Sequence, residues 1–184
     1  MNAIISSVQG LDNSILIYIK DYMQGPIMDK FMVIMSSLGN GGFIWIVIGI
    51  ILLISKKYRK AGFITLIALL FSAILGEGIL KHLVQRSRPF THVPSMKLLI
   101  AEPLSFSFPS GHAASSFAAA GVLAKYFKDY ALEFYSMASI IAFSRLYLYV
   151  HYPTDVAAGI VLGLICSKAA LYLCNKLSMQ KQRN

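Results

Sequence analysis

Charge is what this chain of 184 residues has least of: only 14% of it is Asp, Glu, Lys or Arg, and 8 residues are acidic. A soluble domain needs a far more polar surface, so the composition argues against a water-soluble protein. Cysteine is nearly absent. Cys166 and Cys174 lie in one apolar run without ligand-like neighbours, which leaves two small hydrophobes in place of a disulfide framework or thiolate metal centre. The N-terminus has neither a basic n-region nor a convincing cleavage site, so no signal peptide is expected. There is no internal repeat and no low-complexity segment.

Hydrophobic residues make up 57% of the chain, in several runs near the span length of ~20 residues. The 17 Lys and Arg give a formal net charge of +9. They fall in short clusters between apolar runs, a spacing that suits lipid headgroups and topology, not a nucleic-acid surface. The expected fold class is all-α: an integral membrane helical bundle with about five transmembrane helices and N-terminal amphipathic helices.

Ile15, Leu16, Ile19 and Tyr22 recur at helical spacing until Gly25-Pro26 breaks the segment, and Ile27 to Leu38 reads as a second short amphipathic helix. Both are expected at the membrane interface, with a tilted span over Ala3 to Met23 as the competing reading. Gly39-Asn40-Gly41-Gly42 is a break. Spans are then expected over Phe43–Ser55 (short, and borrowing residues at both ends), Ala61–Leu83, Gly111 to about Lys128, Ala131–Val150 and Pro153–Asn175. Gln85 to Phe108, with Pro89, Pro94 and Pro103, is a polar loop, and Lys176 to Asn184 is a polar, basic tail. Residues 1–184 thus read as a single domain: 1–38 interfacial or first-span helices, 39–175 the transmembrane core, and 176–184 the tail.

If the spans alternate, Lys56–Lys60, Lys125, Lys128 and the tail bases Lys176, Lys181 and Arg183 share one face, which the positive-inside rule assigns to the cytoplasm. The loops Gln85–Phe108 and Tyr149–Asp155 then lie on the outer face. Their basic residues break the rule, as residues kept for chemistry would.

Three clusters meet on that outer face. Lys81 and Arg88 are two helical turns apart and could face one pocket before Pro89 ends the helix. Pro109-Ser110-Gly111-His112 has the makings of a helix start that grips an anion: Ser110 can cap, Gly111 allows close backbone approach, and the first-turn amides point outward. His112 adds a proton carrier that titrates near neutral pH. Ser144-Arg145 and His151-x3-Asp155 complete the set. With Pro153 in the first turn of the last span, Asp155 can reach back toward His151, and an imidazole held by a carboxylate is oriented and activated. Cations, helix-start amides and a His–Asp pair with a second His are what phosphoryl transfer needs when no metal is present.

Lys81-x6-Arg88-Pro89, Pro109-Ser110-Gly111-His112 and Ser144-Arg145-x5-His151-x3-Asp155 resemble the three signature motifs of the type 2 phosphatidic acid phosphatase superfamily. All three are complete and in the family's order. The resemblance implies a helical bundle and metal-independent hydrolysis of lipid phosphates or diphosphates, with no cofactor. It implies that His151 is the nucleophile that forms a phosphohistidine, oriented by Asp155, and that His112 is the general acid. Lys81, Arg88, Ser110, Gly111 and Arg145 would hold the phosphate. The implied partners are a membrane lipid substrate and phosphate, with no nucleic acid and no obligate protein partner. Some members of the family carry a further span before the matched part, which this chain is expected to lack or to replace with amphipathic helices.

Other residues have plainer accounts. Glu77 is one turn from Lys81, and an ion pair that positions the lysine is favoured over a direct catalytic role. Arg86 contacts a diphosphate or headgroup, or sits in water; the sequence supports both equally. His82 and His92 read as bystanders. Gly159-x3-Gly163 reads as a close helix contact. The expected protein is a lipid phosphatase of the bacterial cell membrane, with its site on the extracytoplasmic side. Its substrate would be a polyprenyl diphosphate, phosphatidylglycerophosphate, phosphatidic acid or a lipid A-type phosphate. The rivals are a lipid phosphotransferase on the same scaffold, a vanadate-dependent haloperoxidase and a non-catalytic lipid binder.

Overall fold

The computed structural model describes residues 2–93 and 97–181. Pro94 of the expected loop and Arg183 of the expected tail lie outside them. Every regular element among the described residues is helical, and the chain is an integral membrane helical bundle.

Helix α1, Asn2–Met23, is amphipathic. Asp12, Leu16 and Ile19 recur at intervals of four and three and are buried, while Val8, Leu11, Ile17, Tyr18 and Tyr22 stay exposed. Leu16 packs with Tyr149 and Tyr152, and Ile19 with Met32, Tyr147, Leu148 and Val150. The buried face of α1 therefore covers the turn that carries His151.

Helix α2, Pro26–Gly39, begins with proline in its first turn, where the missing N–H costs nothing. It meets α3, Phe43–Ile54, through the 3-10 turn Asn40–Gly42. Gly41 and Gly42 have φ of 58° and 73°, a left-handed conformation that favours glycine. The sequence suggested an interfacial helix and then a short span. In the structure the break takes up only one turn, and Pro26–Ile54 is together long and apolar enough to cross a membrane.

Helix α4, Arg59–Ser72, continues through a π-helical stretch, Ala73–Leu80, into α5, Lys81–Val84. Gln85, with φ of 49° in the left-handed region, ends it. Arg88 thus stands on extended chain after the helix, not on the helix surface where the sequence placed it. Helices α6, Gly111–Tyr126, and α7, Ala131–Tyr147, follow, and α8 runs from Pro153 to Lys181, past the expected end near Asn175. Pro26–Ile54, Arg59–His92 and Pro153–Leu177 are the described segments long and apolar enough to cross a membrane. At 16 and 17 residues, α6 and α7 fall short of the usual span of ~20.

Helix α6 is the centre of the bundle. Ala113, Ala114, Ala118, Ala119, Ala120, Val122 and Leu123 are all fully buried, so it has little amphipathic character to betray its orientation. Gly159 and Gly163 let α8 press against it. A Cβ at Gly159 would lie 2.6 Å from the Ser110 carbonyl oxygen and 2.9 Å from the Ala113 Cβ, and one at Gly163 would lie 2.8 Å from the Ala118 nitrogen. Small residues permit that approach. It fixes the start of α6, with Ser110 to His112, against the start of α8, with Asp155.

Candidate active site

Lys81, Arg88, Gly111, His112, Arg145 and His151 line one cavity of about 1020 Å³. Three parts of the chain distant in sequence supply them. Ser110 and Asp155 lie buried immediately behind, and the Ser110 N–H donates to the Asp155 carbonyl at 3.0 Å. The Ser110 hydroxyl accepts from the Ala113 N–H at 3.4 Å and caps α6.

Arg88 ties the site together. Its Nε donates to the Ser105 carbonyl at 2.7 Å, Nη1 to the Val150 carbonyl at 2.8 Å, and Nη2 to the Phe106 carbonyl and the Ser105 hydroxyl, each at 3.2 Å. Nη1 also stands 3.2 Å from Nε2 of His151. A guanidinium can only donate, so His151 Nε2 carries the lone pair and Nδ1 the proton. Burial, with Arg88 and Arg145 close by, pulls the His151 imidazole well below its ordinary value, to about 3, against the opposing pull of Asp155. Burial thus favours the neutral ring, and Nε2 is turned toward Arg88, which with His151 lines the cavity.

Behind the ring, the Asp155 Oδ2 lies 3.7 Å from His151 Nδ1, too long for a direct hydrogen bond. Ser107, which the sequence analysis passed over, fills the gap. Its hydroxyl donates to Asp155 Oδ2 at 2.5 Å and sits 3.5 Å from His151 Nδ1. Both serines of Ser105-Phe106-Ser107-Phe108 reach the site, on a bent segment with no regular period to mark them. Ser105 accepts from Lys81 Nζ at 2.9 Å. Asp155 Oδ2 also takes the Tyr152 N–H at 2.9 Å, the reach back from a helix first turn.

The opposite wall comes from the end of α2, another part that the motifs do not include. His112 Nε2 lies 3.1 Å from the Ser36 carbonyl and 3.0 Å from Asn40 Oδ1. The carbonyl only accepts, so Nε2 carries the proton. Arg145 Nη1 donates to the Ser36 hydroxyl, while Arg145 Nε is buried without a hydrogen-bond partner among the described residues.

Glu77 pairs with Lys81 at 2.9 Å, and a Cβ on Gly111 would collide with its Oε1. Arg86 does not line the cavity. Its Nη1 bonds Asp155 Oδ1 at 2.7 Å and its Nη2 bonds Asp12 Oδ2 at 2.8 Å, so it is held in two ion pairs and does not simply sit in water. His92 meets the Ser87 hydroxyl at 3.0 Å, and His82 stands edge-on to Phe106.

The helical bundle gathers cations and imidazoles on one cavity, an arrangement whose charge suits an anionic group. The chain belongs to the PAP2 superfamily, whose pattern matches residues 57–179. It is 35% identical over 144 residues to an undecaprenyl-diphosphatase of Sulfolobus acidocaldarius, covering 78% of this chain and 69% of that protein. Among solved structures, Aquifex aeolicus LpxE superposes with a TM-score of 0.77 at 29% identity, covering 88% of this chain and 95% of that one. The transmembrane PAP2 type phosphatidylglycerolphosphate phosphatase of Bacillus subtilis superposes with a TM-score of 0.72 at 25% identity, covering 96% and 88%. Relatives named as phosphatases place the chain among phosphatase hydrolases.

Proposed function

We propose that the protein removes phosphate from a lipid phosphate or diphosphate at the extracytoplasmic membrane face, without a metal, through a phosphohistidine. The observation that carries this reading is the convergence of Lys81, Arg88, Arg145 and the neutral His151 on one cavity. Arg145 Nε, buried without a partner among the described residues, is a donor that a phosphate oxygen would satisfy.

His151 Nε2 attacks phosphorus in line with the lipid oxygen. The N–P bond forms, the P–O bond breaks, and His112, entering the step as an imidazolium, passes a ring proton to the departing oxygen and becomes neutral. Lys81, Arg88, Arg145 and the Gly111 and Ser110 region neutralise charge on the equatorial oxygens. Asp155, through Ser107, stabilises the positive charge that builds on the His151 ring. Water then attacks the phosphohistidine and gives a proton to the neutral His112, releasing inorganic phosphate and restoring the His151 imidazole and the His112 imidazolium. Glu77 holds Lys81 in place before phosphate arrives.

Charge supports the outer-face assignment. Lys56–Lys60, Lys125 and Lys128 lie at or just beyond the ends of helices opposite those that carry the site, and the positive-inside rule favours a cytoplasmic placement for that end. The relatives suggest a polyprenyl diphosphate or phosphatidylglycerophosphate as substrate, with phosphatidic acid and lipid A phosphates as further members of the test panel. Phosphate release from each by purified protein in detergent with EDTA tests the reading. Release from at least one lipid that persists with EDTA is expected. No release from any lipid, or a strict need for magnesium, would overturn it. A cysteine placed in the 85–108 loop should label from outside intact cells.

A further inference from the structure

Arg86 occupies an unspecified position within the first motif, Lys81-x6-Arg88-Pro89, and lies outside the cavity wall, yet its bonds lead directly to Asp155. Its guanidinium lies over the Tyr152 ring, 3.9 Å from the centroid. Nη1 donates to Asp155 Oδ1 and to the Thr154 hydroxyl, both at 2.7 Å. Nη2 donates to Asp12 Oδ2 at 2.8 Å and approaches Gln9 Oε1 at 3.4 Å. Asp12, on α1, is only 1% exposed. It accepts from the Thr154 N–H at 3.0 Å and the Thr154 hydroxyl at 2.6 Å, so it also satisfies the open N-terminus of α8.

We infer that Asp12 and Arg86 are positioning residues for the reaction: α1, seated through Asp12, holds the Arg86 guanidinium on Asp155 and so sets the carboxylate that faces His151. With Oδ1 occupied by Arg86, only Oδ2 is left to meet Ser107 and the Tyr152 N–H, and the carboxylate cannot rotate. Two buried carboxylates share one guanidinium, so removing any member leaves a buried charge uncompensated. The link also gives α1 a role beyond covering the fold. Its other face exposes Val8, Leu11, Ile17, Tyr18 and Tyr22, a surface for the membrane interface, so a helix seated in lipid supports the carboxylate behind the nucleophile.

The inference rests on the phosphohistidine reading, and the test separates the two. Single-turnover phosphoenzyme formation and the inhibition constant of inorganic phosphate are measured for wild type, His151→Ala, Arg86→Gln, Arg86→Lys, Asp12→Asn and the Asp12→Asn/Arg86→Gln double variant. Supporting groups of this kind typically cost about 10- to 100-fold in rate when removed. Arg86→Gln should slow phosphoenzyme formation by about that factor, with Asp12→Asn somewhat milder, while the inhibition constant of phosphate stays within about twofold. Arg86→Lys should recover part of the loss. The double variant should be no slower than Arg86→Gln alone, because the two residues act as one chain. Unchanged affinity for phosphate shows that each variant has kept its fold. Wild-type rates in Arg86→Gln, a weakened phosphate affinity with the rate retained, or fully additive losses would each overturn the positioning role and leave the phosphatase reading standing. A wild-type protein whose phosphoenzyme does not depend on His151 would take both down.

Discussion

Replacing Arg88 by lysine keeps the charge and removes the geometry, so it isolates what the guanidinium does. The fork spans two loops: Nε and Nη2 hold the Ser105 and Phe106 carbonyls, while Nη1 holds the Val150 carbonyl and faces His151 Nε2 at 3.2 Å. An ammonium is a point donor and cannot reach both loops at once. Arg88 is 3% exposed, so water does not make up the difference. Losing two charge-assisted hydrogen bonds of about 1.5–3 kcal/mol each costs about 3–6 kcal/mol in total. Only the part felt in the transition state slows the reaction. Since 1.36 kcal/mol is a factor of ten, even half of the lower figure gives more than tenfold, and a loss of about 100-fold or more in kcat/KM is expected. The assay is phosphate release from the best lipid of the panel, with single-turnover phosphoenzyme formation alongside. A variant within about fivefold of wild type would refute the reasoning, since it would mean that charge alone, not the fork, carries the role of Arg88.

Ser107→Ala removes the hydroxyl between Asp155 and His151, and phosphoenzyme formation should slow by about 10- to 100-fold with phosphate affinity unchanged; wild-type speed would mean that the carboxylate acts on the ring without it. His151 held neutral down to about pH 3 should react with diethylpyrocarbonate at a rate nearly flat from pH 7 to pH 5. An ordinary histidine would slow about 25-fold over that range as it protonates, and such a fall at His151, read by peptide mass spectrometry, would contradict the burial argument. Gly159→Ala forces a Cβ to 2.6 Å from the Ser110 carbonyl and should destabilise the bundle by about 1–3 kcal/mol. It is read as a lower Tm in detergent; an unchanged Tm would show that α6 and α8 can separate freely.

The helical class could be read from the sequence because apolar runs without charge leave little else, and the cavity-lining motif residues could be read because their types and spacings are local. What escaped was long-range. Ser36 and Asn40 close the far wall of the cavity, yet they sit in a stretch that reads as an interfacial helix and a glycine break. Only the left-handed turn at Gly41 and Gly42 brings them beside His112 and Arg145. Asp12 meets Thr154 across 142 positions, and nothing near Asp12 in the chain marks it as buried. Arg86 was ambiguous for the opposite reason. With Lys81 and Arg88 on either side it read equally as a diphosphate or headgroup contact or as a solvated base, whereas the left-handed cap at Gln85 takes the chain off the helix and Arg86 bonds Asp155. Helix α6, buried all round, has no apolar stripe from which its orientation could be inferred.

The central claim is that His151 becomes covalently phosphorylated, and trapping that intermediate tests it most directly. Purified protein is mixed with a lipid substrate labelled in its terminal phosphate, quenched in alkali, where phosphohistidine survives, and mapped by mass spectrometry. The account predicts an acid-labile phosphate on His151 that appears without added metal and is absent from His151→Ala. Label on another residue, or turnover at wild-type speed in His151→Ala, would contradict it.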